Sequence, residues 1–516
     1  MKMTFKPLPV IVRAVEHADR PAIATDRGVT TYRDLVRKAH GLGTHLLADQ
    51  SDLGEARIGL GTPAAVDLVS GLWGVWQAGG VAVPLSMAAT TRETSALLED
   101  TAAAVVVISA ETPPPIIEAC RQRSVPTLAI DASGAPEADT AWPAVSPDRR
   151  AMILFTSGTT SRPKGVVTTH RTIQAQIESL VAAWQWSEND SVPLFLPLHH
   201  IHGLINVVSC CLWAGGRIDA LPRFDIRPVI DAVQASRYTV FMAVPTIYHR
   251  LITHLESLGP PEREMVAACF ARLRLMVSGS AALPASMHDR WAELTGQRLL
   301  ERYGMTEIGM ALSNPYVGER RPGAVGVPLP GVEVRLVNEA GEPIGEENTA
   351  GEIEVRGPTV FREYWNRPEA TAEAFRGDWF RTGDMAVIER GSYRILGRTS
   401  TDIIKSGGYK LSALEIEAVL LEHPAIAECA VVGVPDEAWG EAVAAAVVRH
   451  QGNEATGQEN QLTLDGLRHW CRDRLSHYRI PRRLLVCDAL PRNPLGKVVK
   501  PAVTDLFTRV ISGKKP

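Results

Sequence analysis

The chain has 516 residues, 45% hydrophobic and 22% charged, an ordinary globular composition with length for two or more domains, because single cores stop growing at about 250–300 residues. A formal net charge of −4 leaves no electrostatic footprint for nucleic acid or an anionic membrane as partner, and points to a small ligand. Seven cysteines without Cys-x-x-Cys spacing, no secretory pattern at the start and no window of about 20 uninterrupted apolar residues argue against a disulfide scaffold, a thiolate zinc site and a spanning helix, so a cytoplasmic protein is expected.

In chain order, Leu35, Val36, His40, Leu42 and Leu46 predict an amphipathic helix within 31–47, after a turn at Asp26-Arg27-Gly28. Apolar runs then alternate with helical patterns: strand 58–61, helix 64–77, strand 81–84, helix 91–99 and strand 104–109. Such alternation is expected of a parallel sheet covered by helices. A Pro- and acid-rich connection, 136–147, leads to the apolar run 151–155. After it stands Thr-Ser-Gly-Thr-Thr-Ser-Arg-Pro-Lys-Gly, 156–165, and then Ile173, Ile177, Leu180, Val181 and Trp184 at helical spacing. The reading is a loop between a strand and a helix. Its hydroxyls, the backbone N–H groups beside Gly158 and the Lys164 cation can converge on a polyphosphate. Because Lys164 precedes Gly165, this is not the common nucleoside-triphosphate loop, in which Lys follows the second Gly.

Further on, 193–203 closes an apolar run with His199, His200 and His202. Neighbours on an extended segment point to opposite sides and no Cys or carboxylate is close, so these histidines read as a pocket mouth rather than a metal site. Apolar runs at 238–244, 273–277 and about 299–300 end in polar clusters: Tyr248-His249-Arg250, Ser278-Gly279-Ser280-Ala281 and Tyr303-Gly304-Met305-Thr306-Glu307. Ligands in open α/β sheets sit at such strand ends. From 322 to 398 strict alternation, as in Val332-Glu-Val-Arg-Leu-Val337, predicts antiparallel strands of a small β-barrel or folded sheet. A boundary follows at Thr399-Ser400-Thr401. Beyond it, Ser412 with Glu415 predicts a capping box opening a helix through Leu421. Strands near 427–432 and 442–448, a polar tract 451–461, a helix about 467–475 and the loop Pro-Arg-Asn-Pro-Leu-Gly-Lys497 complete an α+β unit.

Together these motifs resemble the adenylate-forming superfamily of acyl-CoA synthetases, luciferases and peptide-synthetase adenylation domains, over nearly the whole chain. The resemblance implies an α/β fold: a large N-terminal domain, 1–398, of helix-covered, mostly parallel sheets with a β-barrel-like subdomain at 322–398, and a small mobile α+β domain, 399–516. It implies ATP, Mg²⁺ and CoA. Thr156, Ser157, Gly158, Thr159, Thr160 and Lys164 resemble the residues holding the β- and γ-phosphates, with Ser161 in place of a usual glycine. Ser280 and Ala281 resemble the backbone that lines the adenine and acyl pockets in ATP binding, Tyr303, Gly304, Met305 and Thr306 the adenine and phosphate contacts, Glu307 the Mg²⁺ ligand, and Asp384 with Arg398 the ribose pair. Lys497 resembles the lysine that bridges acyl carboxylate and α-phosphate. Ser406, Gly407, Gly408 and Tyr409 resemble the loop along the thiol's route, and Ser400 stands at the hinge position, usually Asp or Lys.

Segments 197–203, 241–248, 275–284 and 301–312 look especially like malonyl-CoA synthetases, which implies malonate or methylmalonate. A second carboxylate needs a cation and donors, and the candidates are Arg250, Ser278 and His200, beside Gly279. A medium-chain or aromatic acyl-CoA synthetase, an adenylation protein loading a carrier protein, and a non-catalytic nucleotide-binding relative remain as alternatives, and a homo-oligomer stays open.

Overall fold

The computed structural model describes residues 8–130, 141–156, 163–450, 462–492 and 498–511. Its largest sheet has seven strands, in the order 363–364, 164–169, 150–156, 81–84, 57–60, 105–108, 127–129. From Arg150–Thr156 to Thr127–Ala129 the neighbours run parallel, and the two strands on the other side are antiparallel. All four residues of Val81–Pro84 are buried, as a strand covered on both faces requires. The predicted helices are present as Tyr32–Leu47, Ala65–Gln77 and Thr91–Thr101. Thr31 with Asp34 and Thr90 with Glu93 form capping boxes that start the first and third.

One expectation is corrected here. The phosphate-loop stretch does not run from a strand into a helix: Lys164–Thr169 is itself a strand, antiparallel to Arg150–Thr156 with Thr156 opposite Lys164, and the helix His170–Trp184 begins only afterwards. Val166, Val167, Thr168 and Thr169 are β-branched and buried, a run that favours a pleated strand over the first turn of a helix.

A second sheet sets Val240–Ala243, Leu275–Ser278 and Leu300–Met305 in parallel, then turns back through Gly309–Ser313 and Val327–Pro328. Tyr303, Gly304 and Met305 therefore belong to the strand rather than to the loop after it. A third sheet, 28–31, 21–25, 217–220, 191–194, completes this part. The antiparallel expectation after 322 holds for the sheet made of Glu333–Val337, Pro343–Ile344, Gly351–Arg356, Phe375–Arg376, Trp379–Glu389 and Ser392–Arg398. The short strand Glu363–Tyr364 leaves that interval and pairs with Val166 and Val167 of the seven-stranded sheet.

The last N–H of this region that bonds back is Thr399, to Gly383 O at 2.9 Å. After it the chain builds a five-stranded sheet from 403–406, 409–412, 426–436, 440–449 and 483–486. Its two buried apolar clusters draw on Ile404 to Leu475 and on Ala430 to Phe507, with no residue before 404. The expected capping box is half formed: Ser412 Oγ accepts from Glu415 N at 3.1 Å, whereas the Glu415 carboxylate reaches Arg394 at 2.5 Å and Arg479 at 3.1 Å. The helix expected near 467–475 is Leu464–Cys471, because Thr463 caps it earlier by accepting from Gly466 N at 3.1 Å; Leu475 is buried in the turn that follows.

Candidate nucleotide and acyl site

The strand Leu300–Met305 and the turn after it carry five of the expected ligand-facing residues, Tyr303 to Glu307. Tyr303 donates its hydroxyl to Asp384 Oδ2 at 2.6 Å, and Arg398 donates Nε to Asp384 Oδ1 at 2.9 Å. Register explains the second bond, since Asp384 lies opposite Arg398 in the antiparallel pair 379–389 with 392–398. Thr382 fixes the bend by accepting from Asp384 N at 3.1 Å. The result is a carboxylate oriented by a phenol and a guanidinium, with the Arg398 charge held on by its acidic and phenolic neighbours despite burial.

Glu307 is buried, and loss of solvent raises its pKa above the ordinary carboxylate range. Its Oε1 accepts from the Tyr364 hydroxyl at 2.9 Å. The other side of Tyr364 faces Lys164, whose ammonium stands 4.9 Å from the ring centroid. Tyr364 thus ties the carboxylate to the loop lysine, and it comes from the stray strand Glu363–Tyr364. Nothing in the sequence marked it beyond its place in Phe-Arg-Glu-Tyr-Trp-Asn. Ser157, Gly158, Thr159, Thr160 and Lys497 lie outside the described residues, and of the hydroxyls at the loop base only Thr156 is described, with Oγ1 at 3.4 Å from Lys164 O.

The acyl side is built where Leu275–Ser278 meets Leu300–Met305. Ser278 is fully buried and its hydroxyl has no partner among the described residues. Gly279 follows, and a Cβ there would stand 2.4 Å from Arg302 Cζ, so a larger residue would displace the guanidinium. Ser280 adopts φ +69°, unusual for a non-glycine residue, and its Oγ lies 3.0 Å from His202 Nδ1. Ala281 is exposed beside it, and Met305 and Thr306 are half-buried. His200 packs its ring 4.1 Å from that of His199, whose pKa burial depresses to about 4, so His199 is neutral near pH 7. Among the described residues no group of three or more His, Cys, Asp or Glu could hold a metal ion.

Arg302 was missed in the sequence because it reads as one more charged residue before Tyr-Gly-Met-Thr-Glu. It is 4% exposed, and neither Nε nor Nη2 has a hydrogen-bond partner among the described residues. Glu301, the adjacent strand residue, faces the opposite way, and its charge acts against the effect of burial on Arg302. Glu301 instead accepts from Leu283 N at 3.2 Å, and burial pushes its carboxyl up to about 8, while burial lowers the Arg302 pKa to about 10. The candidate named first in the sequence, Arg250, is exposed on the helix Pro245–Ser257 with its guanidinium 4.8 Å from the Phe224 ring centroid. Phe224 in turn meets Phe195, ahead of the histidine loop, at 5.1 Å.

In the C-terminal part, Gly407 and Gly408 take φ +57° and +83°, and Gly407 N donates to Trp439 O at 2.9 Å. Ser406 is buried, and Tyr409 is half exposed and stacks on Tyr478 with centroids 4.5 Å apart. Ser400 is exposed in a turn closed by Thr401 N and Asp402 N, both donating to Arg398 O.

A family model for AMP-binding enzymes matches residues 11–365, and one for the AMP-binding enzyme C-terminal domain matches 415–497. The chain belongs to the AMP-binding enzyme family, the two-domain adenylate-forming enzymes. It is 43% identical to the mitochondrial malonate–CoA ligase ACSF3 of Mus musculus, over 96% of this chain and 89% of the relative. Among solved structures it is similar to ATP-bound MatB from Rhodopseudomonas palustris, with TM-score 0.87, 34% identity, and coverage of 98% of this chain and 100% of that one. It is also similar to a malonyl-CoA ligase ternary product complex with methylmalonyl-CoA and AMP bound, with TM-score 0.67, 38% identity, and coverage of 94% and 100%.

Proposed function

We propose that this chain is an AMP-forming malonate–CoA ligase: malonate attacks the α-phosphorus of ATP and releases pyrophosphate, then the CoA thiol attacks the acyl carbon of malonyl-AMP and releases AMP. The observation that carries the choice of acid is Arg302. A buried guanidinium whose Nε and Nη2 lack partners among the described residues is costly unless an anion arrives, and a charge-assisted bond to a carboxylate contributes about 1.5–3 kcal/mol. The Ser278 hydroxyl, without a partner among the described residues, supplies a second donor. In this reading Arg302 takes the distal carboxylate, Gly279 leaves room for it, and His200 and Arg250 stand nearer the mouth.

For ATP, Asp384 receives the ribose hydroxyls while Tyr303 and Arg398 hold its orientation. Lys164 and the stretch 156–160 take the terminal phosphates, and Ser280, Ala281, Gly304, Met305 and Thr306 line the base and α-phosphate. Glu307 fits a cation: it is a buried carboxylate that accepts from the neutral Tyr364 hydroxyl, and Mg²⁺ prefers one or two carboxylates with substrate phosphates. Bound there, Mg²⁺ would neutralise charge on the leaving pyrophosphate. Lys497 would stand between the two reacting anions, where a cation stabilises the transition state more than the ground state.

The two steps use two arrangements of the units 1–398 and 399–516, with Ser400 as hinge and Ser406 to Tyr409 along the thiol's path in the second. The product complex, although more identical in sequence, gives a lower TM-score than the ATP-bound relative, as a different arrangement of domains would. Among the described residues no helix is long and apolar enough to cross a membrane. The free cysteines suit a reducing compartment; the cytoplasm is our assignment, in contrast to the mitochondrial relative, and cell fractionation decides it. The function is tested by AMP release from ATP with a panel of acids, with and without CoA. Malonate or methylmalonate with CoA should lead the panel. A medium-chain or aromatic acid as best substrate, or transfer to a carrier protein but not CoA, would overturn the reading.

A further inference from the structure

The C-terminal helix Lys500–Ile511 begins with a lysine that the proposed reaction does not use. Lys500 is 12% exposed, and its Nζ stands 2.6 Å from Asp402 Oδ1 and 2.7 Å from Glu417 Oε1. Both carboxylates are themselves committed. Asp402 Oδ2 accepts from Arg398 N at 3.0 Å, and its backbone closes the turn around Ser400 by donating to Arg398 O at 2.7 Å and accepting from Ala413 N at 2.7 Å. Glu417, on the helix Ala413–Leu420, accepts from Val431 N at 2.8 Å and so reaches the central strand Ile426–Asp436. One ammonium therefore joins the hinge turn, a helix, the sheet and the C-terminal helix.

Such a group is expensive where it is not needed. Three ionisable side chains, each at most 16% exposed, carry a desolvation penalty that well-packed apolar residues would avoid. Val503 and Phe507 already seat the helix on the sheet through a buried apolar face. The hinge turn contributes nothing to that cluster, so apolar packing does not tie to it the helix's first turn. That turn is the one that matters for chemistry, since Val499 N bonds Pro491 O at 2.8 Å and Arg492 pairs with Val498 across the base of the segment that ends in Lys497.

We infer that Lys500 is a positioning residue for adenylation: its ion pairs with Asp402 and Glu417 tie the base of the Lys497 segment to the hinge turn, so that domain rotation and delivery of Lys497 move as one body. This rests on the proposed roles of Lys497 and Ser400. The tether is needed when Lys497 must meet two anions, but not when the Ser406–Tyr409 loop faces the site.

The test separates the half-reactions in purified full-length Lys500→Met, measuring malonate-dependent ATP–pyrophosphate exchange and, separately, conversion of supplied malonyl-AMP to malonyl-CoA. Exchange should fall roughly 100-fold, the scale of a misplacement of about 1 Å, with KM for malonate little changed and thioester formation within about threefold of the parent. Because Lys500→Met leaves two buried carboxylates without their cation, Lys500→Met/Glu417→Gln is measured beside it; relief of that repulsion should restore thermal stability but not exchange. Exchange at the parental rate in either folded variant overturns the inference, and so does equal loss of both half-reactions, which marks a merely structural lysine. Lys497→Met run in parallel keeps the two questions apart: if it retains exchange, the reading of Lys497 fails instead.

Discussion

Arg302 and Gly279 make the most direct test of packing at the level of single side chains. A methyl group at Gly279 would stand 2.4 Å from the Arg302 guanidinium carbon, far inside contact distance, so either the arginine or the strand end must move. Gly279→Ala is expected to raise KM for malonate about tenfold or more, consistent with loss of one charge-assisted bond, while leaving KM for ATP within about twofold. Steady-state kinetics with each substrate varied in turn checks this, and equal effects on both would remove Arg302 from the acyl pocket.

Glu301 carries a pH signature. Its folded pKa, about 8 through burial, lies above that of the unfolded chain, so the folded state holds a proton that the unfolded state releases. Its contribution is therefore fully present below the ordinary carboxylate range and is lost as pH rises through about 8. Thermal melts from pH 6 to pH 9 should show a falling Tm in the parent and a flatter profile in Glu301→Gln; identical slopes would contradict the assignment. Neither partner in the Glu301-Arg302 pair was legible as special in sequence, because a charged dipeptide on a strand normally marks a wet edge. Only the covered position of this strand, between 275–278 and 309–313, makes it otherwise.

Among the elements, the strands 57–60, 81–84 and 105–108 and the helices between them were readable from alternation of apolar runs with helical spacing, whereas the helix 9–16 and the strands 21–25 and 28–31 were not. The segment after the phosphate loop was not, since Val166 to Thr169 satisfies a strand while the following Ile173, Ile177 and Leu180 satisfy a helix, and the strand-to-helix junction falls between them. The strand Glu363–Tyr364 was invisible for a related reason: two residues carry no periodicity, and their pairing to Val166 and Val167 bridges about 200 residues of chain. That unread strand supplies Tyr364, the link between Lys164 and Glu307. Tyr364→Phe removes the hydroxyl donated to Glu307 at 2.9 Å and should lower the adenylation rate about tenfold or more, as loss of a hydrogen bond to a charged group does. Pyrophosphate exchange over a Mg²⁺ titration measures it, and an unchanged rate at every Mg²⁺ level would detach Tyr364 from the site.

For the molecule as a whole, two units could be read from the change of texture at 322 and again near 399, and the C-terminal unit has apolar clusters of its own. Their contact surface was not readable. It rests on Glu415 between Arg394 and Arg479 and on Ser412 Oγ donating to Leu396 O, where a residue read as part of a capping box turns outward to the other unit. If the units alternate about Ser400, Ser400→Pro should abolish thioester formation while pyrophosphate exchange persists, because proline fixes φ in the turn that must open. Two unaffected half-reactions would place the hinge elsewhere.

The claim on which the account turns is that a buried arginine selects a second carboxylate, and the decisive measurement is the ratio of kcat/KM for malonate to that for isovalerate, its apolar shape match, in the parent and in Arg302→Leu. The ratio should fall by roughly 100-fold or more, the effect of removing a buried charge partner worth about 3 kcal/mol, with isovalerate spared or improved. A ratio left unchanged while both acids weaken together would contradict it.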